Sequence, residues 1–174
     1  MKTMLSEGLI VRHAVSHDAT AIVEFYNRVG GETDYLSFGE GEYPQSKEET
    51  RQSIDVGQDT AGSCILLLMK EEEIIGIGTI DSSTKSRFRH VGVLGIVISE
   101  LHTGKGLGRI LMNALISWCK ENDQIEKITL VTRSDNERAI ALYEKLGFER
   151  EGVFQKDSFD GNRYYDSLSM ALFI

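Results

Sequence analysis

A chain of 174 residues with 41% hydrophobic and 26% charged side chains has an ordinary globular balance. One domain over residues 1–174 is expected, long enough to bury roughly two-thirds of the surface its unfolded form exposes. A net charge of −8 argues against nucleic acid as a partner and mildly favours a cationic substrate. With no apolar run near the ~20 residues of a membrane span, and a leading Met1-Lys-Thr-Met-Leu-Ser-Glu-Gly that lacks a signal peptide's apolar core, the expected setting is the cytoplasm, without membrane contact.

In chain order, Leu9 to Ala14 reads as a strand, and Ser16 as the N-cap of a helix running to about Val29, stopped by Gly30 and Gly31. The segment from Glu32 to Pro44 has no clean period and mixes aromatic with acidic side chains. Ser46 and Glu49 form a capping box that opens a second helix to about Val56. Ser63 to Lys70 and Ile74 to Ser82 read as strands, and Gly76 and Gly78 within the latter predict a bulge or a close backbone approach. Cys64 and Cys119 are too few for a disulfide framework and lack metal spacing, so both are read as small core residues, with no metal expected.

Arg87 to Asn122 organises the rest. An apolar strand, Val91 to Ile98 at its core, suits burial on both faces. Gly104, Gly106 and Gly108 follow, and then an amphipathic helix with Leu107, Ile110, Leu111, Ala114, Leu115 and Trp118 on one face. A helix start offers unpaired N–H groups and a partial positive charge. Glycines let an anion approach that backbone, and Lys105 and Arg109 add charge there. The spacing fits neither the Gly-x4-Gly-Lys-Ser/Thr phosphate loop nor the dinucleotide Gly-x-Gly-x-x-Gly, and a turn that merely connects strand to helix is the plain alternative. Ile125 to Thr132 is a fifth strand, Asn136 to Leu146 a helix and Phe148 to Lys156 a sixth strand. A turn at Asp160-Gly161 leads into a last strand from Arg163 to Phe173. The expected class is α/β (α+β): a mixed, largely antiparallel seven-stranded sheet flanked by helices.

Thr103-Gly-Lys-Gly-Leu-Gly108, between that strand and helix, resembles the Gln/Arg-x-x-Gly-x-Gly/Ala motif of the GNAT superfamily of acyl-CoA-dependent N-acyltransferases, with Thr103 in place of Gln or Arg. Asn136-Glu-Arg-Ala-Ile-Ala-Leu-Tyr-Glu-Lys-Leu-Gly-Phe148 is similar to the family's Asn-x-x-Ala-x-x-Leu-Tyr-x-x-x-Gly-Phe segment. The resemblance covers the whole chain and is weak between Gly30 and Gly62. It implies acetyl-CoA as co-substrate, held at the pantetheine arm by backbone of Ile96, Val97 and Ile98 and at the pyrophosphate by Gly104, Lys105, Gly106, Leu107, Gly108 and Arg109. It further implies that Asn136 meets the pantetheine and that Tyr143 protonates the departing thiolate. Asn136 and Tyr143 lie two helical turns apart on one face, and a phenol with a pKa near ~10 stays protonated at neutral pH. A half-buried core tyrosine is the alternative for Tyr143.

The base is open. Glu100, just past the strand, is the site residue chosen for it, with a solvated loop residue as the alternative. Asp81, His90 and water are the others. Glu32, Asp34, Tyr35 and Phe38 together suit a cation, by charge and by cation–π contact, or else merely cover the core. The reading is transfer of an acetyl group from acetyl-CoA to a primary amine, a small cationic amine or a protein N-terminus, by direct attack. A CoA-binding regulatory module without turnover and a transferase of a longer acyl group are the rivals, and a homodimer is left open.

Overall fold

The apolar run from Cys64 to Met69 fits only a strand with both faces covered. It forms β3 (Cys64–Lys70) near the middle of a sheet, and its alternate side chains serve two cores. Leu66 and Leu68 enter one, and Leu67 and Met69 the other. The computed structural model describes residues 2–4, 8–59 and 61–174, so the leading Met1 to Gly8 segment falls partly outside the described residues. The remaining strands are β1 (Lys2–Met4), β2 (Leu9–His13), β4 (Glu73–Ser82), β5 (Val91–Ile98), β6 (Lys127–Arg133), β7 (Glu149–Phe159) and β8 (Tyr164–Phe173). The helices are α1 (Ala19–Val29), α2 (Lys47–Asp59), α3 (Leu107–Lys120) and α4 (Glu137–Lys145).

The strand order is β1-β2-β3-β4-β5-β6-β8-β7. The seven expected strands are all present, and an eighth, the short β1, lies antiparallel on β2. Every pairing is antiparallel except β5 with β6. α3 and α4 pack on one face, where Leu111, Leu115, Ile140 and Tyr143 meet Leu94, Ile128, Leu130 and Met170. On the other face α1 and α2 bring Ile22, Phe25, Val29 and Ile54 onto Leu67, Met69 and Ile77. Among the described residues no helix is long and apolar enough to cross a membrane.

Local chemistry accounts for the start of α2 and for the β7–β8 turn. The capping box at α2 is closed in both directions: the Glu49 amide donates to Ser46 Oγ at 3.2 Å, and the Ser46 amide to Glu49 Oε2 at 2.7 Å. At the β7–β8 turn, the amides of Asn162 and Arg163 both donate to Asp160 Oδ1 at 2.8 Å. Both expectations for the glycines of β4 hold. The β3–β4 register shifts between Leu68 and Met69, which leaves Ile75 as the extra residue. A Cβ on Gly76 would also sit 2.5 Å from Ile98 Cδ1, and one on Gly78 would sit 2.7 Å from Leu115 Cδ1.

Three expectations need correction. Ser16 does not cap α1: its hydroxyl donates to Asp55 on α2, while the free Val15 amide is taken by Asp18 (2.8 Å), a carboxylate fixed by Arg12. β5 is not buried on both faces. Val93 remains 54% exposed because the core beneath α1 and α2 reaches β5 only at Val97. The buried face of α3 is also rotated from the one read in the sequence. Met112, Ile116 and Cys119 join Leu111 and Leu115 at full depth, while Ile110, Ala114 and Trp118 pack at its margin.

Candidate active site

The one parallel pairing is short. β5 meets β6 only at Val91–Lys127, Gly92–Ile128 and Val93–Thr129. Beyond these, β5 follows β4 to Ile98 and β6 follows β8 to Arg133, so the two strands separate. The gap is a cleft of about 1090 Å³. Among the described residues, the edge of β5 facing it has no strand partner from Leu94 to Ile98, so its N–H and C=O groups are available to an extended ligand, in the manner of an added strand. Ile96, Val97 and Ile98, named from the sequence, all line this cleft.

At one end the loop after β5 turns into α3. Gly104 and Gly106 both have φ of +77°, a left-handed conformation that costs glycine little and other residues much. Gly106 is the N-cap of α3 and supplies no side-chain cap. The first-turn amides of Leu107, Gly108 and Arg109 have no intrahelical acceptor, and all three residues line the cleft. A Cβ on Gly106 would meet nothing within 4 Å, so the space in front of this helix end is open. At Gly108 a Cβ would lie 3.5 Å from Leu142 Cδ2 and 3.9 Å from Ile98 Cγ1, so a methyl group fits and a branched side chain would enter the gap. Lys105 departs from its expected place: its ammonium donates to the Leu101 carbonyl at 2.8 Å, and the residue is not part of the cleft wall. Arg138, which the sequence reading passed over, lines the cleft instead, with Nη2 3.8 Å from the position of a Gly104 Cβ. Its signal was a cation in the first turn of α4, facing the glycine loop. An uncapped helix N-terminus, an open glycine turn and the Arg109 and Arg138 side chains suit a diphosphate.

The opposite wall is α4. Asn136 caps it, its Oδ1 accepting from the Ala139 amide at 3.3 Å while its amide group donates to Thr132 Oγ1 at 3.4 Å. Asn136 lines the cleft with that cap in place. Tyr143 is only 7% exposed and packs beside Phe148, ring centroids 5.9 Å apart. Burial pushes its pKa up to about 12. Tyr143 lines the cleft, and its hydroxyl has no hydrogen-bond partner among the described residues. No buried side-chain nitrogen or oxygen among those residues lacks a partner, so that hydroxyl is not sealed in the core; it opens into the cleft.

The far end is formed by the loop after α1. Glu32, Tyr35 and Leu36 line it beside Glu100. Glu32 is partly committed, since its Oε2 accepts from the Glu100 amide at 2.7 Å. The Glu100 side chain has no hydrogen bond or ion pair among the described residues. Asp34 offers its backbone carbonyl to Arg133 (3.1 Å), and its side chain is not part of the wall. Phe38 is drawn away into an aromatic group, 5.9 Å from Tyr26 and 5.4 Å from Tyr43. The one face of Tyr35 with a cation on it holds the protein's own Arg133, 4.9 Å from the ring centroid. Among the described residues, no three His, Cys, Asp or Glu side chains are grouped as a metal ion would need.

Comparison with known proteins agrees with this geometry. The profile of the Acetyltransferase (GNAT) family matches residues 32–148. The L-amino acid N-acetyltransferase AaaT of Escherichia coli (strain K12) is 27% identical over 163 residues, covering 94% of this chain and 96% of that one. A spermidine N(1)-acetyltransferase of Vibrio cholerae is 35% identical over 71 residues, 41% of each chain. Among solved structures, an acetyltransferase of the GNAT family from Streptococcus pneumoniae superposes with a TM-score of 0.93 at 29% identity, covering 95% of this chain and 99% of that one. This chain therefore belongs to the acetyltransferase (GNAT) family. It is an N-acetyltransferase of that family, and solved structures of the same fold hold acetyl-CoA or CoA.

Proposed function

We propose that this chain transfers the acetyl group of acetyl-CoA directly to a primary amine, with Tyr143 returning the proton to the CoA thiolate. The observation that carries this reading is the Tyr143 hydroxyl, held by a buried ring yet open to the cleft. An acid for a thiolate must be protonated throughout the working range, and burial of this phenol ensures that. The unpaired edge of Leu94 to Ile98 would hold the pantetheine arm, and the first amides of α3 the pyrophosphate. The thioester is then presented between the diverging strands. Glu100 is the carboxylate proposed to receive the amine's proton, since it lines the same cleft and is committed to no other side chain.

The acceptor we propose is a cationic amine. Glu32 and Glu100 lie together at the far end of the cleft, the amide of one bound to the carboxylate of the other, and the chain carries −8 overall. Such a field raises the local concentration of a protonated amine. The spermidine acetyltransferase among the relatives supports this choice. The L-amino acid acetyltransferase, similar over nearly the whole chain, supports a second reading in which the acceptor is a zwitterionic amino acid.

Thiol release from acetyl-CoA, followed with spermidine, an aminoglycoside, a peptide N-terminus, neutral L-amino acids and glutamate, tests both readings. The expected result is turnover of the cationic acceptors, with KM rising as salt is added. Preference for the neutral amino acids would select the second reading. No thiol release with any amine would leave a CoA-binding module.

A further inference from the structure

Arg133, at the end of β6, is held more completely than any of the expected site residues. Its guanidinium makes two parallel bonds to Asp135, Nε to Oδ1 at 2.9 Å and Nη2 to Oδ2 at 2.6 Å. Its Nη1 donates to the Asp34 carbonyl at 3.1 Å, across 99 residues of sequence. Its carbon centre lies 3.6 Å from the ring centroid of Tyr165 and 4.9 Å from that of Tyr35. The Tyr165 ring is itself fixed, by a 2.6 Å bond from its hydroxyl to Asp160 and by Arg163 at 4.5 Å from its centroid. The Arg133 side chain is 13% exposed.

These contacts tie the loop after α1 to two parts of the chain that the backbone already links, β8 and the β6–α4 turn. Asp34 and Tyr35 belong to the loop after α1, and Tyr165 to β8. Asp135 immediately precedes Asn136, the cap of the helix that carries Tyr143. The Tyr35 hydroxyl adds a long contact, 3.5 Å, to the Asp135 carbonyl. Tyr35 and Asp135 both line the cleft, whereas Arg133 itself does not. The bonds are specific to a planar fork: a lysine could keep the charge but not both Asp135 bonds, the Asp34 carbonyl and the stacking.

We propose that Arg133 is a positioning residue for the acceptor: it latches the loop of Asp34 and Tyr35 to the β6–α4 turn and so fixes the far wall of the cleft relative to Tyr143. This rests on the reading above that the far end of the cleft takes the amine. β5, the glycine loop and α3 make none of its contacts, so the backbone groups proposed to hold acetyl-CoA are built without it.

Two variants test this, Arg133→Lys and Tyr35→Leu; the second changes an exposed loop side chain and leaves the core intact. Each should raise KM for the amine best used in the panel by about tenfold, with KM for acetyl-CoA within about twofold, because an interaction confined to one substrate's wall shifts that substrate's constants alone. The double variant should be little worse than either single one, since both open the same latch. Amide exchange should quicken at residues 33–37 and stay unchanged along α3. Unchanged amine KM in folded variants, equal rises in both KM values, additive effects, or unaltered exchange at residues 33–37 would each overturn the role of Arg133 and leave the acceptor reading standing. If the wild type turns over no amine, the acceptor reading itself fails and the positioning role falls with it.

Discussion

The two ends of the cleft are made of different material. At the glycine loop the groups facing the ligand are mostly backbone: the free edge of β5, two left-handed glycines and the uncapped first turn of α3. At the far end they are side chains held by other side chains, with Glu32 on the Glu100 amide and Tyr35 against Arg133. A backbone site demands little of the sequence except small residues and a helix start, so one motif can specify it. A side-chain site depends on pairs far apart in the chain, such as Asp34 with Arg133, and leaves no local pattern.

Tyr143 is where the two ends meet, and its loss should be the largest effect. Tyr143→Phe removes the proposed proton donor but keeps the buried ring, so kcat should fall by ~10²-fold or more, with acetyl-CoA affinity within about twofold. Near-normal kcat would return Tyr143 to a packing role and dissolve the link between the halves. Next in size, Glu32→Gln should raise KM for a cationic acceptor by roughly three- to tenfold and flatten its salt dependence. The amide oxygen still accepts from the Glu100 amide, so what is lost is the charge and, with it, the 3.8 Å ion pair to Arg28. Asp34→Asn is the internal contrast, because that side chain lies off the cleft wall, and its KM effect should stay under about twofold. Equal effects at both positions would mean that a diffuse field, and not the wall, selects the acceptor.

Alkali should strain the core before it reaches the chemistry. Burial raises Cys64 and Cys119 from an ordinary 9.0 to about 12, and Tyr143 from 10.0 to about 12. Between these limits the unfolded chain releases protons that the folded chain keeps. Stability is therefore fully present below pH 9 and falls as pH rises toward 12. Urea midpoints should drop between pH 8 and pH 10.5, and a flat profile would contradict the burial of these groups. The smallest effect concerns the capping box on α2, away from the cleft: Ser46→Ala should cost about 1 kcal/mol in denaturant unfolding and leave both KM values unchanged. A change in either would mean that α2 shapes the site.

The sequence was readable where chemistry is local. Ser46 with Glu49, the Asp160 turn and the glycines before α3 each act within a few residues, and the structure keeps all three. Apolar runs located the strands, and the glycine turn before α3 located one end of the cleft. Ser16 misled because its hydroxyl is drawn to Asp55 on α2, while Asp18 takes the free amide of Val15. Lys105 misled because a flexible ammonium finds the nearest free carbonyl, at Leu101, as readily as a ligand. Phe38 was grouped with Tyr35 by proximity in sequence, yet Tyr26 and Tyr43 offer it more aromatic surface. Arg133 and Arg138 were passed over because their partners, Asp34 and the Gly104 turn, lie tens of residues away.

The proposed transfer depends on the first turn of α3 being the place where acetyl-CoA's diphosphate rests. Calorimetry of acetyl-CoA binding to the wild type and to Gly108→Val tests that directly, with circular dichroism to show that the variant is folded. The branched side chain enters the gap between Ile98 and Leu142 without meeting backbone, so the fold should survive while affinity falls by about tenfold or more. Unchanged affinity in a folded Gly108→Val would contradict the account.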